Sequence, residues 1–166
     1  YYNKKFWSNV VKDLKKRYKL NNNSKILDVG CAKGFFIYDL RKILPKAEIK
    51  GVDVSKYAIK NCKKGVKKFL HIGNAKQLDF KDNYFDLVIS INTIHNLNEK
   101  DCAKALREIS RVTKRNAFIT VDAFNNQKEK KRMFAWNLTA QTIKSEKNWI
   151  KFFKKNNYHY DYYWFK

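Results

Sequence analysis

A regular alternation of short apolar runs with segments of helical periodicity most constrains the fold of this chain. Strand-like runs fall at 25–29, 48–54, 67–72, 86–91, 117–123 and 158–165. Helical spacing occupies 6–19, 34–44, a segment from residue 55, 99–113 and 146–156. Such alternation predicts an α/β fold with a mostly parallel central sheet and helices on both faces.

Small and polar residues follow each of the first five strands. The clusters are Asp28–Gly34, Asp53–Ser55, Gly73–Ala75, Asn92–His95 and Asp122–Asn125. Parallel α/β sheets bind ligands at the carboxyl ends of their strands, where these clusters would meet. The sequence therefore places a ligand site along this edge.

The first cluster belongs to the stretch SKILDVGCAKGFF at 24–36. Gly30 permits a tight turn, and Gly34 lets the next helix begin close to a ligand. Ala32 stands where a third glycine is common, which predicts a position that does not require positive φ. A pair of glycines after a strand is a weak signal by itself.

Asp53, at the end of the second strand, narrows the class of ligand that the site could bind. A carboxylate there can accept two hydrogen bonds from the 2′,3′-diol of a ribose, which favours a nucleoside. The alternative is a negative charge placed to favour the N-terminus of the following helix. The residue alone does not decide between them.

Together these segments resemble the class I S-adenosylmethionine-dependent methyltransferases over residues 24–123. The matching motifs are ILDVGCAKG, GVDVS, GNAKQLDF, YFDLVISINTIHNL and ALREISRVTKRNAFIT, in the family's order. The resemblance implies a Rossmann-like sheet that ends in two further strands. The aromatic tail supplies one clear strand, so we expect a reduced C-terminal strand pair.

The resemblance also implies the residues that hold the cofactor S-adenosylmethionine and its product S-adenosylhomocysteine, with no metal. Asp28 would order the loop and help hold the amino-acid end, Asp53 would hold the ribose, and Val54 would lie against the adenine. Asn74 stands where the family commonly has Asp, and Asn92 where backbone carbonyls approach the cofactor ammonium. The full predicted set is Asp28, Gly30, Cys31, Ala32, Gly34, Asp53, Val54, Asn74, Ala75 and Asn92.

His95 follows the fourth strand and is a candidate general base for methyl transfer. The alternative is that it packs at the start of the helix in the family's recurrent motif. Asp122 and Asn125 follow the fifth strand and are candidate substrate residues.

The segment KRMFAWNLTAQT at 131–142 has two readings. In one, it forms a substrate lid in which Trp136 and its polar neighbours line a pocket for a polar small molecule, such as a sugar or nucleotide-sugar. In the other, it is an amphipathic helix that turns Phe134, Leu138 and Ile143 toward the core.

A net charge of +22 raises the question of a polyanionic partner. The lysines are spread along the chain in no recognisable binding module, and asparagine is also abundant, which favours compositional drift. No proline follows Asn92 as in base-flipping amino-methyltransferases. We therefore expect a small-molecule methyl acceptor. The alternatives are an RNA methyltransferase and a non-catalytic cofactor-binding scaffold.

The length of 166 residues predicts one domain. A cap helix occupies 1–23, the cofactor core 24–123, and a substrate-side segment with the last strand 124–166. No apolar run reaches the roughly 20 residues of a membrane helix. The start lacks a signal-peptide pattern and an initiator Met, so we expect it to be trimmed. Three scattered cysteines favour a cytoplasmic location, and monomer and dimer remain open.

Overall fold

The computed structural model describes residues 2–165 and contains a largely parallel sheet between two layers of helices. The helices are α1 (Lys4–Arg17), α2 (Phe35–Ile43), α3 (Lys56–Lys60), α4 (Glu99–Val112), α5 (Gln127–Trp136) and α6 (Glu146–Lys155). The strands are β1 (Lys25–Val29), β2 (Glu48–Asp53), β3 (Leu70–Ile72), β4 (Phe85–Ile91), β5 (Thr113–Phe124), β6 (Lys144–Ser145) and β7 (Asp161–Phe165). Short 3₁₀ turns occupy Lys67–Phe69 and Ile94–Asn96.

The strand order β3-β2-β1-β4-β5 puts the point where the order of successive strands reverses between β1 and β4. Every strand pair in this sheet is parallel. The carboxyl ends of the strands therefore share one edge, and the loops after β1, β2, β3 and β4 meet there. The predicted fold class is confirmed.

Two apolar cores, one on each face of the sheet, hold this edge in place. One contains the buried faces of α4 and α6 with Leu106, Ile119 and Trp149 at its centre. The other joins α1 and α2 to the opposite face through residues such as Ile37 and Ile89. Because β1 and β4 are buried on both faces, the loops that follow them start from well-packed strand ends.

The C-terminal strands form the reduced pair that the sequence predicts. β6 has only two residues and pairs with the end of β5, whereas β7 pairs with β5 over Phe118 to Asp122. β7 forms an edge of the sheet and carries partly exposed aromatic side chains.

The core-facing reading of the 131–142 segment is wrong. Phe134 is 56% exposed and Leu138 is 94% exposed, and within α5 the buried residue is Met133. The sequence QKEKKRMFAW carries charged side chains over most of its length, so it cannot present a continuous apolar stripe.

Within residues 2–165, no helix is long and apolar enough to cross a membrane.

Candidate functional site

A cleft of about 350 Å³ opens at the carboxyl edge of the sheet, above the strand reversal. Seven of the residues predicted for the cofactor line it: Gly30, Ala32, Asp53, Val54, Asn74, Ala75 and Asn92. Six further residues line the cleft and were not assigned to the cofactor from sequence, although Gly73 and Thr93 belong to the predicted strand-end clusters: Val52, Gly73, Ile91, Thr93, Asn96 and Leu97. They adjoin the predicted residues, so the signal was their place in the same loops.

The loop after β1 is tied to the end of β2. The backbone N–H groups of Gly30 and Cys31 both donate to the carbonyl oxygen of Val52, at 2.7 and 3.1 Å. Gly30 has φ +83°, and a Cβ atom there would lie 2.1 Å from Thr93 Oγ1. Glycine is thus required by conformation and by space.

Ala32 corrects a prediction from sequence. Its φ is +44°, so the position does adopt the left-handed region that it was expected to avoid. The reason lies in its N–H group, which donates to Asp53 Oδ2 at 2.8 Å. The turn that directs this N–H toward β2 sets the backbone conformation, and alanine tolerates it at some cost.

Asp53 is held by backbone donors on both carboxylate oxygens. Oδ2 accepts from Ala32, and Oδ1 accepts from the N–H of Ser55 at 2.8 Å. A carboxylate offers about four acceptor positions, so two remain for ligand hydroxyls. The following helix, α3, has only five residues and is capped by the Ser55 hydroxyl, which weakens the helix-charge alternative.

Asp28 does not line the cleft: it is a buried acid at the end of β1, two residues before Gly30, with 4% of its surface exposed. Burial, followed by the negative charge of Asp53, raises its pKa to about 7. Neither of these two effects comes from a positive charge, and both disfavour the ionised carboxylate. A cationic group bound near this carboxylate would favour its ionised form.

Cys31 and Gly34 form the underside of the same loop and do not line the cleft. The Cys31 thiol is buried, and burial raises its pKa, so it remains a neutral, unreactive group. Gly34 caps α2 with φ +71°, and a Cβ atom there would press on Val66 and Leu70.

Asn92 closes the cleft on the side of β4. Its φ is +49°, its N–H donates to Thr120 Oγ1 at 2.9 Å, and its Oδ1 accepts from the same hydroxyl at 2.6 Å. Across the cleft, Asn74 Oδ1 accepts from the N–H of Lys76 at 3.0 Å. Both asparagine oxygens therefore have partners within the protein.

His95 lies outside the cleft lining and is 4% exposed. Its Nδ1 accepts from the N–H of Asp122 at 3.3 Å, and its Nε2 lies 3.6 Å from Asp122 Oδ2. Burial lowers the pKa of the imidazole, and the nearby Asp122 carboxylate opposes that effect. Because both ring nitrogens face Asp122, this arrangement favours the packing role over that of a base.

The other candidate substrate residues are dispersed. Asn125 is exposed, and its Nδ2 donates to Glu146 Oε1 at 2.9 Å. Trp136 is 42% exposed and does not line the cleft. The polar end of the 131–142 segment does border it, since Thr139 Oγ1 donates to Asn96 Oδ1 at 2.9 Å.

Comparison with known proteins agrees with this geometry. Residues 20–160 match the family described as "Methyltransferase domain". The chain is 38% identical over 106 residues to demethylmenaquinone methyltransferase of Lactiplantibacillus plantarum, covering 59% of this chain and 44% of that protein. It is 29% identical over 121 residues to malonyl-[acyl-carrier protein] O-methyltransferase of Legionella pneumophila, covering 70% and 42%.

Among solved structures, the YcgJ protein of Bacillus subtilis superposes with a TM-score of 0.71 at 20% sequence identity. The match covers 88% of this chain and 66% of that one, and it shows a shared fold. The chain spans less than half the length of the two curated relatives described above.

Proposed function

The chain belongs to the methyltransferase domain family, within the class I S-adenosylmethionine-dependent group, and from that premise we propose that it binds S-adenosylmethionine in the cleft after β1 and β2 and methylates a small molecule. The observation that carries the proposal is Asp53, whose carboxylate is fixed by Ala32 and Ser55 at the rim of the cleft. These two N–H groups occupy two acceptor positions of the carboxylate and leave the other two for the hydroxyl groups of a ribose diol.

The residues present fit this cofactor in three respects. Gly30 contributes bare backbone to the cleft lining and lets the Thr93 side chain pack against the turn. Asp28 is a buried carboxylate whose raised pKa would be lowered by the cofactor's ammonium group. Val54 is 65% exposed at the cleft wall, where a largely exposed apolar side chain suits the face of an adenine.

When bound, S-adenosylmethionine supplies an electrophilic methyl group on sulfur. This methyl group would be available to an acceptor oxygen or nitrogen, with S-adenosylhomocysteine as the other product and the acceptor's proton released to solvent or a base. The protein's contribution is alignment, for which the loops at Gly30, Asp53 and Asn92 provide fixed positions. His95 contributes by packing, in pair with Asp122.

The small-molecule acceptor is favoured over RNA by the form of the site. Among the described residues, those that line the cleft include no lysine or arginine, and exposed lysines such as Lys12 and Lys15 of α1 are not part of its lining. Trp136, the residue predicted to line a pocket for a sugar or nucleotide-sugar acceptor, lies outside the cleft lining, so the site gives no support to that acceptor class.

The experiment is calorimetric titration of the chain with S-adenosylhomocysteine and, in parallel, with NAD⁺, the dinucleotide that dehydrogenases bind on a similar sheet through a GxGxxG motif that this chain lacks. We expect one molecule of S-adenosylhomocysteine per chain and no heat from NAD⁺. A chain that binds neither, while circular dichroism shows it folded, would contradict the proposal. RNA binding that persists above about 200 mM salt would instead support the RNA alternative, because non-specific lysine attraction weakens steeply there.

The role of His95 has its own test. His95→Asn should keep the affinity for S-adenosylhomocysteine and lower the thermal midpoint, because a buried hydrogen-bonded ring is lost. If the variant kept its stability but lost turnover on an identified acceptor, the assignment of His95 as a general base would be supported instead.

A further inference from the structure

A second cavity, of about 790 Å³, lies between α1 and the strands β4, β5 and β7. We call it the α1 groove. It runs along α1 from Phe6 to Arg17, which is about 16 Å at the rise of an α-helix. It meets the cofactor cleft at Ile91 and Asn92, which line both.

The wall of the α1 groove is mostly apolar. Ile91, Thr120 and Tyr163 are register partners on three adjacent strands, so their side chains share one face of the sheet. Phe118, two residues before Thr120, extends this face, and Val10 of α1 lies opposite. Tyr163 remains 60% exposed, so the groove has an open side.

The polar groups of the α1 groove lie at its two ends. At the cleft end, the Thr120 hydroxyl donates to Asn92 Oδ1 at 2.6 Å and holds that amide at the junction with the cleft. At the far end, the lining contains Asp13, Lys16 and Arg17. Arg17 is paired with Asp161 at 3.0 Å, so Lys16 is the cation that we assign to an occupant. An occupant would thus meet a hydrogen-bonding pair, an apolar wall and a cation in that order.

We propose that the α1 groove binds the methyl acceptor, a small molecule with an elongated apolar body, a nucleophilic group at the Asn92–Thr120 end and an anionic group toward Lys16. This inference rests on the proposed function, since it places the acceptor beside the cofactor cleft. The volume lies in the range of drug-sized ligand sites, about 300–1,000 Å³. The polar pair of Asn92 and Thr120 orients the nucleophile, and the apolar wall selects the acceptor.

The test uses 1-anilinonaphthalene-8-sulfonate, a fluorescent probe with an aromatic body and an anionic group, titrated into the folded chain saturated with S-adenosylhomocysteine. We expect one probe per chain, displaced by decanoate and not by UDP-glucose. Displacement by UDP-glucose would overturn the assignment, as would loss of the bound probe when S-adenosylhomocysteine is added to a ligand-free chain loaded with the probe.

Two pairs of variants locate the probe. Val10→Trp fills the α1 groove, and Lys12→Trp adds the same side chain on an exposed position outside it. Lys16→Gln removes the cation of the groove, and Lys15→Gln is its matched neighbour. We expect Val10→Trp to weaken the probe at least tenfold and Lys16→Gln about threefold, with the controls unchanged.

Equal effects in variant and control would overturn the proposal, as would a concentration-dependent dimer that Val10→Trp abolishes, since a second copy would then fill the groove. If Val10→Trp fails to fold, the lysine pair still decides the question. Failure of the proposed function gives a different result: the probe binds the groove, and S-adenosylhomocysteine does not bind at all.

Discussion

The cofactor cleft and the α1 groove lie side by side and are built in opposite ways. The cleft consists of loops fixed by backbone hydrogen bonds, such as those of Gly30 to Val52 and Ala32 to Asp53. The α1 groove consists of side chains from Val10 to Tyr163 that meet only in the folded sheet. A cofactor shared by a whole family can therefore be bound by loops whose geometry is local in sequence. Selection of the acceptor depends instead on side chains that are distant in sequence and meet only when the sheet has formed.

The largest expected effect tests whether the loop of the cleft is as constrained as its geometry indicates. Gly30→Ala places a Cβ atom 2.1 Å from Thr93 Oγ1 at a positive φ, so we expect a loss of more than about 3 kcal/mol in unfolding free energy. Gly65→Ala is the matched control, because its φ is also positive but nothing lies within 4 Å. It should cost only about 1 kcal/mol. Equal costs in denaturant titrations would show that the Thr93 contact is irrelevant.

Asp53→Ala should separate the two regions. It removes the proposed ribose acceptor and the anchor of the Ala32 and Ser55 amides. We expect affinity for S-adenosylhomocysteine to fall by about a hundredfold, or about 2.7 kcal/mol, while probe binding in the α1 groove is retained. Calorimetry and fluorescence measure the two affinities, and the exposed Asp79→Ala serves as control.

Asp28 gives the cleft a pH dependence. Its pKa in the folded chain is raised from 3.8 to about 7, so the folded state binds more protons than the unfolded state between these values. The stability of the ligand-free chain should therefore contain a contribution that falls as pH rises from about 4 to 7. Affinity for S-adenosylhomocysteine should rise from pH 6 to pH 8, as Asp28 becomes ionised and pairs with the ammonium group.

Asp28→Asn should consequently raise the stability of the ligand-free chain while it lowers the affinity for S-adenosylhomocysteine. At pH 8 we expect the ligand-free variant to gain about 1–3 kcal/mol, since each pKa unit corresponds to about 1.4 kcal/mol, and to bind S-adenosylhomocysteine more weakly. Thermal melts with and without ligand measure both quantities. A variant that loses stability at pH 8 would contradict the claim that the ionised Asp28 carboxylate is buried without a compensating positive charge.

The smallest effect concerns Ala32. Because its φ of +44° is unfavourable for alanine, Ala32→Gly should stabilise the chain by about 0.5 kcal/mol, after the greater entropy of glycine in the unfolded state is counted. A clear loss of stability in a denaturant titration would show that the methyl group contributes packing that the backbone angle does not reveal.

The same contrast explains what the sequence could predict. The fold and the cleft followed from short motifs, since the residues of one loop are adjacent in the chain and their spacing sets their geometry. The positive φ of Ala32 could not be foreseen, because it depends on the direction of a hydrogen bond to Asp53 on another strand. The α1 groove was missed for a related reason: the alignment of Ile91 with Tyr163 depends on strand register across β5. Trp136 was chosen for its residue type, which does not tell on which side of α5 it lies.

Binding of the cofactor in the cleft can be tested by an NMR titration of the isotope-labelled chain with S-adenosylhomocysteine. We expect the amide signals of Ala32, Val54 and Asn74, which line the cleft, to move together and to saturate at one ligand per chain. Signals from Val10 and Tyr163, in the α1 groove, should stay nearly unchanged. Saturating shifts confined to the α1 groove, or no shifts in the cleft at millimolar ligand, would contradict cofactor binding in the cleft.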